Sequence, residues 1–463
     1  MDGPATPSPY LAGNYAPIRS EDDFDLEVTG EFPRELAGAF YRNGANPQFE
    51  PRDQYHWFAG DGMVHAFFAE EGKVRYRNRW VRTPRWLTEN AAGRSLFGIF
   101  GNPITTDPEV LGEDAGVANT SIVWHGGRLM AMEEGHKPFE IDPASLDARG
   151  YVDPYGGKVT AHPKLDPETG ELVWFGYMVG AMPFSRTLSY GLTDASGRVT
   201  RRDDFEAPFC SMIHDFLVTS RHTIFPILPL TGSLERVIKG GPPFAWEPDK
   251  GSHIGVLRRD APVSEIRWFE ADPCYVFHGM NAWEEGETIV AEVMEFPAAP
   301  FFPDADGQHG ERVSARLVRW TIDLAGSSNR IRREPLDDLA GEFPRIDDRR
   351  AGLFYRHGWF AAQTTLRTDP SFEAIAHFDM KTGKRQTYVF AEGDFPGEPV
   401  FAPRSADAPE GDGWVMSVVY RSAEDRSDLV LFNAQDIAAG PIAAAKVPRR
   451  IPFGFHGTWK AAD

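Results

Sequence analysis

The chain has 463 residues, a formal net charge of −20, 41% hydrophobic and 13% aromatic residues. That apolar content can build a large packed core and sets aside a disordered chain, while an acidic balance with no long basic stripe sets aside nucleic acid as a partner. No charge-free stretch reaches the roughly 18 residues of a membrane-spanning helix, and the two cysteines, Cys210 and Cys274, are too few for a disulfide scaffold or a metal site of their own, which makes a reduced, cytoplasmic setting the expectation.

From the amino end, MDGPATPSPYLAGNYAP is acidic and proline-rich, with no basic start leading into an apolar run, so it lacks the pattern of a signal peptide. Strand-like patches then recur: Gly127–Met132, Leu172–Tyr177, Thr288–Val293, Val313–Ile322, Gln386–Phe390 and Trp414–Tyr420. Short helical insertions fit around Glu89–Phe100 and Leu230–Lys239, where long loops fit as well. Between the patches stand turns of one kind, DPETGE from Asp166, TDASGR from Thr193, DLAGSS from Asp323 and DMKTGK from Asp379. In each, an Asp bonds back to the chain and a Gly supplies the positive φ that closes the turn. Many strands, few helical segments and no clean linker predict an all-β chain, one domain over 1–463, and a propeller in preference to a two-sheet sandwich. The repeats are too degenerate for their period to give a blade number.

Four of the 13 histidines stand in distinctive settings: His162 in VTAHPKLDPETGE, His214 in CSMIHDFLVT, His278 in YVFHGMNAWEE and His456 in IPFGFHGTW. Separations of 52, 64 and 178 residues match no zinc-finger or HExxH spacing. Ligands so far apart are natural if each comes from a different blade and all converge on one axis. Taken alone, each is equally a hydrogen-bonded residue at a strand end, and imidazole suits iron(II), zinc, copper and nickel alike.

These segments, taken together, resemble the carotenoid cleavage oxygenases, a family that includes apocarotenoid oxygenases, lignostilbene dioxygenases and a retinoid isomerase. The resemblance runs over nearly the whole chain: FYRNGANPQF from Phe40, YHWFAGDGMVHAF from Tyr55, GVANTSIVWHGGRLMAMEEGHKPFEIDP from Gly116, then the four histidine segments, GEFPRID from Gly341 and GEPVFAP from Gly397. It implies a seven-bladed β-propeller with a helical or loop cap over the active-site face, the cap lying near 86–104 and 222–252. It further implies one Fe(II) per chain held by His162, His214, His278 and His456, with Glu134, Glu342 and Glu398 bonded to the outer nitrogens of three of them. A carboxylate in that place fixes the tautomer and raises the basicity of the donor nitrogen. Thr120 matches a residue near the open coordination position.

The same resemblance implies insertion of O2 across an electron-rich carbon–carbon double bond to give two carbonyl fragments. The substrate is then a hydrophobic conjugated molecule lying in a dry tunnel, and Phe58, Phe97, Phe100, Phe277 and Phe301 are candidates for its wall. The apolar runs IFPILPL (Ile224–Leu230), GPPFAW (Gly241–Trp246) and FPAAPFFP (Phe296–Pro303) fit either a buried cap or a patch touching a membrane surface. The lignostilbene-cleaving members carry a lysine at the position of Glu133, where it can bind a phenolic hydroxyl. A carboxylate there would repel a phenolate, which favours an apocarotenoid and keeps a resveratrol- or lignostilbene-like substrate as the alternative.

Overall fold

A computed structural model describes residues 8–52, 55–98, 105–365 and 371–462. The chain forms seven blades of antiparallel strands around one axis. Blade 2 runs Ser121–His125, Arg128–Met132, Phe139–Ile141 and Ala148–Tyr151; blade 3 runs Lys164–Leu165, Leu172–Gly176, Thr187–Thr193 and Val199–Glu206. Blade 4 runs Leu217–Val218, His222–Ile227, Ser252–Arg258 and Arg267–Ala271. Blades 5 and 6 are one continuous sheet. Arg332–Ile346 pairs through Arg332–Pro335 with Arg316–Asp323, then through Ala340–Ile346 with His357–Gln363, so a single strand is the rim of blade 5 and the inner edge of blade 6.

Both ends of the chain are laced into the ring. Gly457–Ala461 pairs with Gly38–Ala45 as the innermost strand of blade 1, and Glu27–Gly30 pairs with Pro441–Val447 on the rim of blade 7. The pattern of side chains follows from position in the blade. Leu172–Gly176, between two neighbouring blades, is buried at every residue, whereas the rim strand Val199–Glu206 (VTRRDDFE) alternates half-buried and exposed. Three fully buried tryptophans anchor the core with their ring N–H groups satisfied: Trp174 donates to Thr193, Trp320 to Glu295 and Trp359 to the Ala434 carbonyl.

The four hairpin turns form as their sequences require. Asp166, Asp194, Asp323 and Asp379 each accept backbone N–H groups two to four residues on. Gly170, Gly197 and Gly383 take positive φ, while Gly326 is not among the left-handed residues. The helical insertions are shorter than their sequence signals. Helix α1 spans Pro84–Ala92, started by Thr83 and ended by Gly93 in the left-handed conformation, and α2 spans Leu234–Ile238. Of the expected cap segment 222–252, His222–Ile227 is a blade strand. The part outside the blades is the small hairpin Leu230–Gly232 with Phe244–Trp246, which carries α2. The run IFPILPL is therefore buried throughout and presents no membrane patch, because it packs between blades. Among the described residues no helix is long and apolar enough to cross a membrane.

Candidate metal centre and cavity

Each blade contributes at least one side chain to the centre, most of them from at or near its innermost strand. Thr120 immediately precedes the first strand of blade 2, His162 precedes Lys164–Leu165 in blade 3, and His214 precedes Leu217–Val218 in blade 4. His278 lies within Tyr275–Glu285 of blade 5, Glu342 within Arg332–Ile346 of blade 6, Glu398 just ahead of Val400–Pro403 in blade 7, and His456 just ahead of Gly457–Ala461 in blade 1. Glu134 enters from the end of Arg128–Met132, the strand paired beside Thr120.

The four imidazoles bring their ligating atoms within 4.8 Å of one another. Nε2 of His214 lies 3.0 Å from that of His162 and 3.1 Å from that of His278, and His278 Nε2 lies 3.1 Å from that of His456. Three of the rings donate outward from Nδ1: His214 to Glu134, His278 to Glu342 at 2.5 Å and His456 to Glu398 at 2.8 Å. With the Nδ1 proton committed, each Nε2 turns a lone pair inward, and lone pairs this close repel unless a cation lies between them. Burial and the neighbouring imidazoles hold His162 and His278 well below the ordinary histidine range, and burial lowers His456 despite the opposing pull of Glu398. Neutral, inward-facing imidazoles are what a divalent transition metal needs, so the donor set fits one such ion.

The three carboxylates are held in three ways. Glu398 accepts the Gly457 N–H at 2.7 Å and pairs with Arg345 at 3.2 Å. Burial opposes its ionisation, but Arg345 and His456 outweigh it and its pKa lies below the usual glutamate value. Glu342 accepts the N–H of Phe343 at 2.5 Å, a contact made possible by a bulge at Glu342/Arg345 and a left-handed Phe343 (φ 55). Glu134 is bonded by the hydroxyl of Tyr177, which follows the second strand of blade 3.

A cavity of about 1750 Å³ opens onto this centre. Thr120, Glu134, His214, His278, Glu342 and His456 reach its wall, as do Phe58, Phe97, Glu133, Phe277 and Phe301; Phe100 lies outside the described residues. Phe97 is set by α1: buried Glu89 collects the N–H groups of Leu96 and Phe97 at 2.7 and 3.0 Å, tying the following loop to the helix. Phe58, Phe277 and Phe301 form a chain of ring contacts 6.4 and 6.1 Å apart. Of the eight non-glycine residues at positive φ among those described, Met178, Phe184, Phe301 and Phe343 line the cavity. Backbone strain thus gathers where the walls are shaped. Met182 and Phe301 are exposed large apolar side chains on the same wall, giving the cavity an apolar mouth.

Glu133 does not present a bare charge to the cavity. Its Oε1 accepts the N–H of Val117 at 2.6 Å and of Ala118 at 3.0 Å, and lies 3.1 Å from Nδ1 of His136. Ala118 is left-handed (φ 45), which lets consecutive amides converge on one oxygen. Tyr177, Lys158 and His136 were not legible as cavity residues in the sequence, because nothing in their local patterns distinguishes a strand-end residue that turns inward from one that turns out. The stretch Pro9–Tyr15, which also lines the cavity, was legible only as a proline-rich terminus.

Comparison with known proteins agrees with this architecture. The family model described as retinal pigment epithelial membrane protein matches residues 15–461. The chain is 41% identical to isoeugenol monooxygenase of Pseudomonas putida, over 98% of each. The crystal structure of Pseudomonas brassicacearum lignostilbene dioxygenase superposes with a TM-score of 0.94 at 35% identity, covering 100% of both chains. A Synechocystis apocarotenoid oxygenase structure gives 0.87 at 29% identity, covering 97% of this chain and 98% of that one.

Proposed function

We propose that this chain, which belongs to the carotenoid cleavage oxygenase family, cleaves the side-chain double bond of a 4-hydroxyphenyl alkene of the isoeugenol or stilbene type, yielding an aryl aldehyde and a second carbonyl product. As a member of that family it is a non-haem iron-dependent enzyme of oxidative cleavage, and all four histidines fit the single iron. The observation that carries the substrate reading is the near full-length similarity to an isoeugenol monooxygenase, with the lignostilbene dioxygenase fold closer than that of the apocarotenoid oxygenase. The preference for an apocarotenoid drawn from Glu133 loses its basis, since that carboxylate is spent on two amides and His136.

His162, His214, His278 and His456 would hold the iron, which would supply the activation of O2. The protein's own part is alignment and exclusion of water. Phe58, Phe277 and Phe301 give a conjugated substrate flat apolar surfaces to lie against, so that its alkene would be directed toward the four histidines and Thr120. Thr120 Oγ is turned to Asn119 Oδ1 at 2.9 Å, and Asn119 is itself anchored to the carbonyls of Phe58 and Gly60, so the residue beside the centre is rigid. No acid–base side chain is needed: R–CH=CH–R′ and O2 give R–CHO and R′–CHO with atoms balanced. The apolar mouth at Met182 and Phe301 supports uptake of a lipophilic substrate, including from a membrane surface.

The test is aerobic incubation of iron-reconstituted protein with isoeugenol, resveratrol and an apocarotenoid aldehyde, products being identified by mass. Vanillin from isoeugenol, or hydroxybenzaldehydes from resveratrol, with loss in His278→Ala, is the expected result. Shortened polyene aldehydes with intact phenolic substrates would overturn the reading.

A further inference from the structure

One part of the cavity wall is polar. His136 lies between two carboxylates, Glu133 at 3.1 Å and Asp114 at 4.0 Å, and its pKa stands above the ordinary histidine value because their pull outweighs burial. Asp114 also accepts the Tyr151 hydroxyl at 2.8 Å and the Gly116 N–H at 3.0 Å. Both carboxylates are thereby committed to neighbours. Beside them stands Lys158, brought next to His136 because the Val159 N–H donates to the His136 carbonyl at 3.1 Å. Lys158 is half-buried on the cavity wall, and its Nζ donates to the carbonyl of Met178 at 3.0 Å. An ammonium has three N–H donors, and a neutral carbonyl offsets little of its charge.

Other cations on the wall are placed differently. Arg85 lies 3.8 Å from Asp61 and 3.7 Å from Glu89, and Arg312 is exposed. Lys158 is thus a half-buried cation in a mostly apolar cavity, with its local acids already engaged. Its complement is a ligand with one oxygen head, able to carry negative charge, on a flat apolar body.

We propose that Lys158 is the specificity-determining anchor for the phenolic hydroxyl of the substrate, donating from Nζ to the phenol or phenolate oxygen and so fixing which stretch of the molecule lies at the metal centre. This rests on the 4-hydroxyphenyl alkene reading above. It assigns the cation to the loop before His162, whereas the sequence directs attention to position 133. Burial lowers the pKa of Lys158, so an anionic partner restores what the ammonium loses on leaving water.

The experiment is calorimetric titration under argon of the iron-loaded protein with isoeugenol and with its O-methyl ether, for wild type, Lys158→Met and Lys158→Arg. Iron content and thermal unfolding serve as controls for the fold. Wild type is expected to bind the phenol about 10- to 100-fold more tightly than the ether, the scale of a hydrogen bond to a charged group. Lys158→Met is expected to erase that preference, weakening the phenol and leaving the ether within twofold, and Lys158→Arg to keep part of it. A wild-type preference that survives in Lys158→Met would overturn the anchor while leaving the phenolic substrate standing. A wild type with no preference would overturn both.

Discussion

Two arms of the same centre, His456–Glu398 and His214–Glu134, perform one task by different means. In the first, the carboxylate is pinned by a half-buried arginine: Arg345 pairs with Glu398, bonds the Gly457 carbonyl at 2.7 Å and reaches Asp348 at 3.1 Å. In the second, the carboxylate is held by a neutral phenol, and Tyr177, Glu134 and His214 all reach the cavity wall. The charged arm is part of what closes the ring, since Glu398 also holds the backbone of the closing strand through Gly457. The phenol arm brings its carboxylate as well as its histidine to the cavity wall, whereas in the charged arm His456 reaches that wall and Glu398 does not. One centre therefore combines a structural side and a side that a ligand can touch.

Substitution of Glu398 tests the structural side and carries the largest expected effect. Glu398→Gln leaves half-buried Arg345 beside a neutral group, and the metal-free protein should lose about 3 kcal/mol of stability in urea unfolding at pH 7, with iron affinity down about 10- to 100-fold. The pH dependence has a definite sign. The folded pKa of Glu398 is depressed, so its contribution is present above the unfolded glutamate value near 4.5 and fades as pH falls below it. The gap between wild type and Glu398→Gln should accordingly narrow below that pH.

Glu134→Gln gives the sharper contrast. Iron affinity should fall by a similar factor of about 10, measured by competition with a chelator, while urea stability moves by only about 1 kcal/mol. Equal stability losses in the two variants would erase the distinction between the arms. The smallest effect belongs to Tyr177→Phe, which removes one hydroxyl. Iron content should stay near one per chain, the iron(II) absorption or Mössbauer spectrum should shift, and kcat should drop a few-fold. A change confined to KM, with an unaltered spectrum, would mean that Tyr177 acts as cavity wall alone.

What the sequence discloses differs between these arms too. The glutamates and histidines are singled out by motif resemblance; spacing alone leaves the histidines as strand-end residues and the acids as surface residues. Arg345 sits inside GEFPRID, in plain view, yet its partner 53 positions on is visible only once blades 6 and 7 meet. Tyr177 ends an apolar strand patch and reads as core. The turns were legible in detail because their chemistry is local, with one failure at Gly326. The blade count was not legible, since bulges and the shared strand break any regular period. IFPILPL left two readings open because apolar content does not distinguish a buried segment from an exposed patch, and the structure takes the buried one. The charge of Glu133 was legible, but the two amides that satisfy it depend on the left-handed turn at Ala118, for which an alanine gives no sign.

The strand that serves blades 5 and 6 makes the ring mechanically uneven. Main-chain bonding runs unbroken from His278 on its first strand, across the rim, to Glu342 on the returning half, so ligand and carboxylate ride on one sheet. His162 and His214 ride on two separate sheets. Separating His278 from its carboxylate would mean breaking the main-chain ladder of one sheet, whereas His162 and His214 are held together across the joint between two sheets.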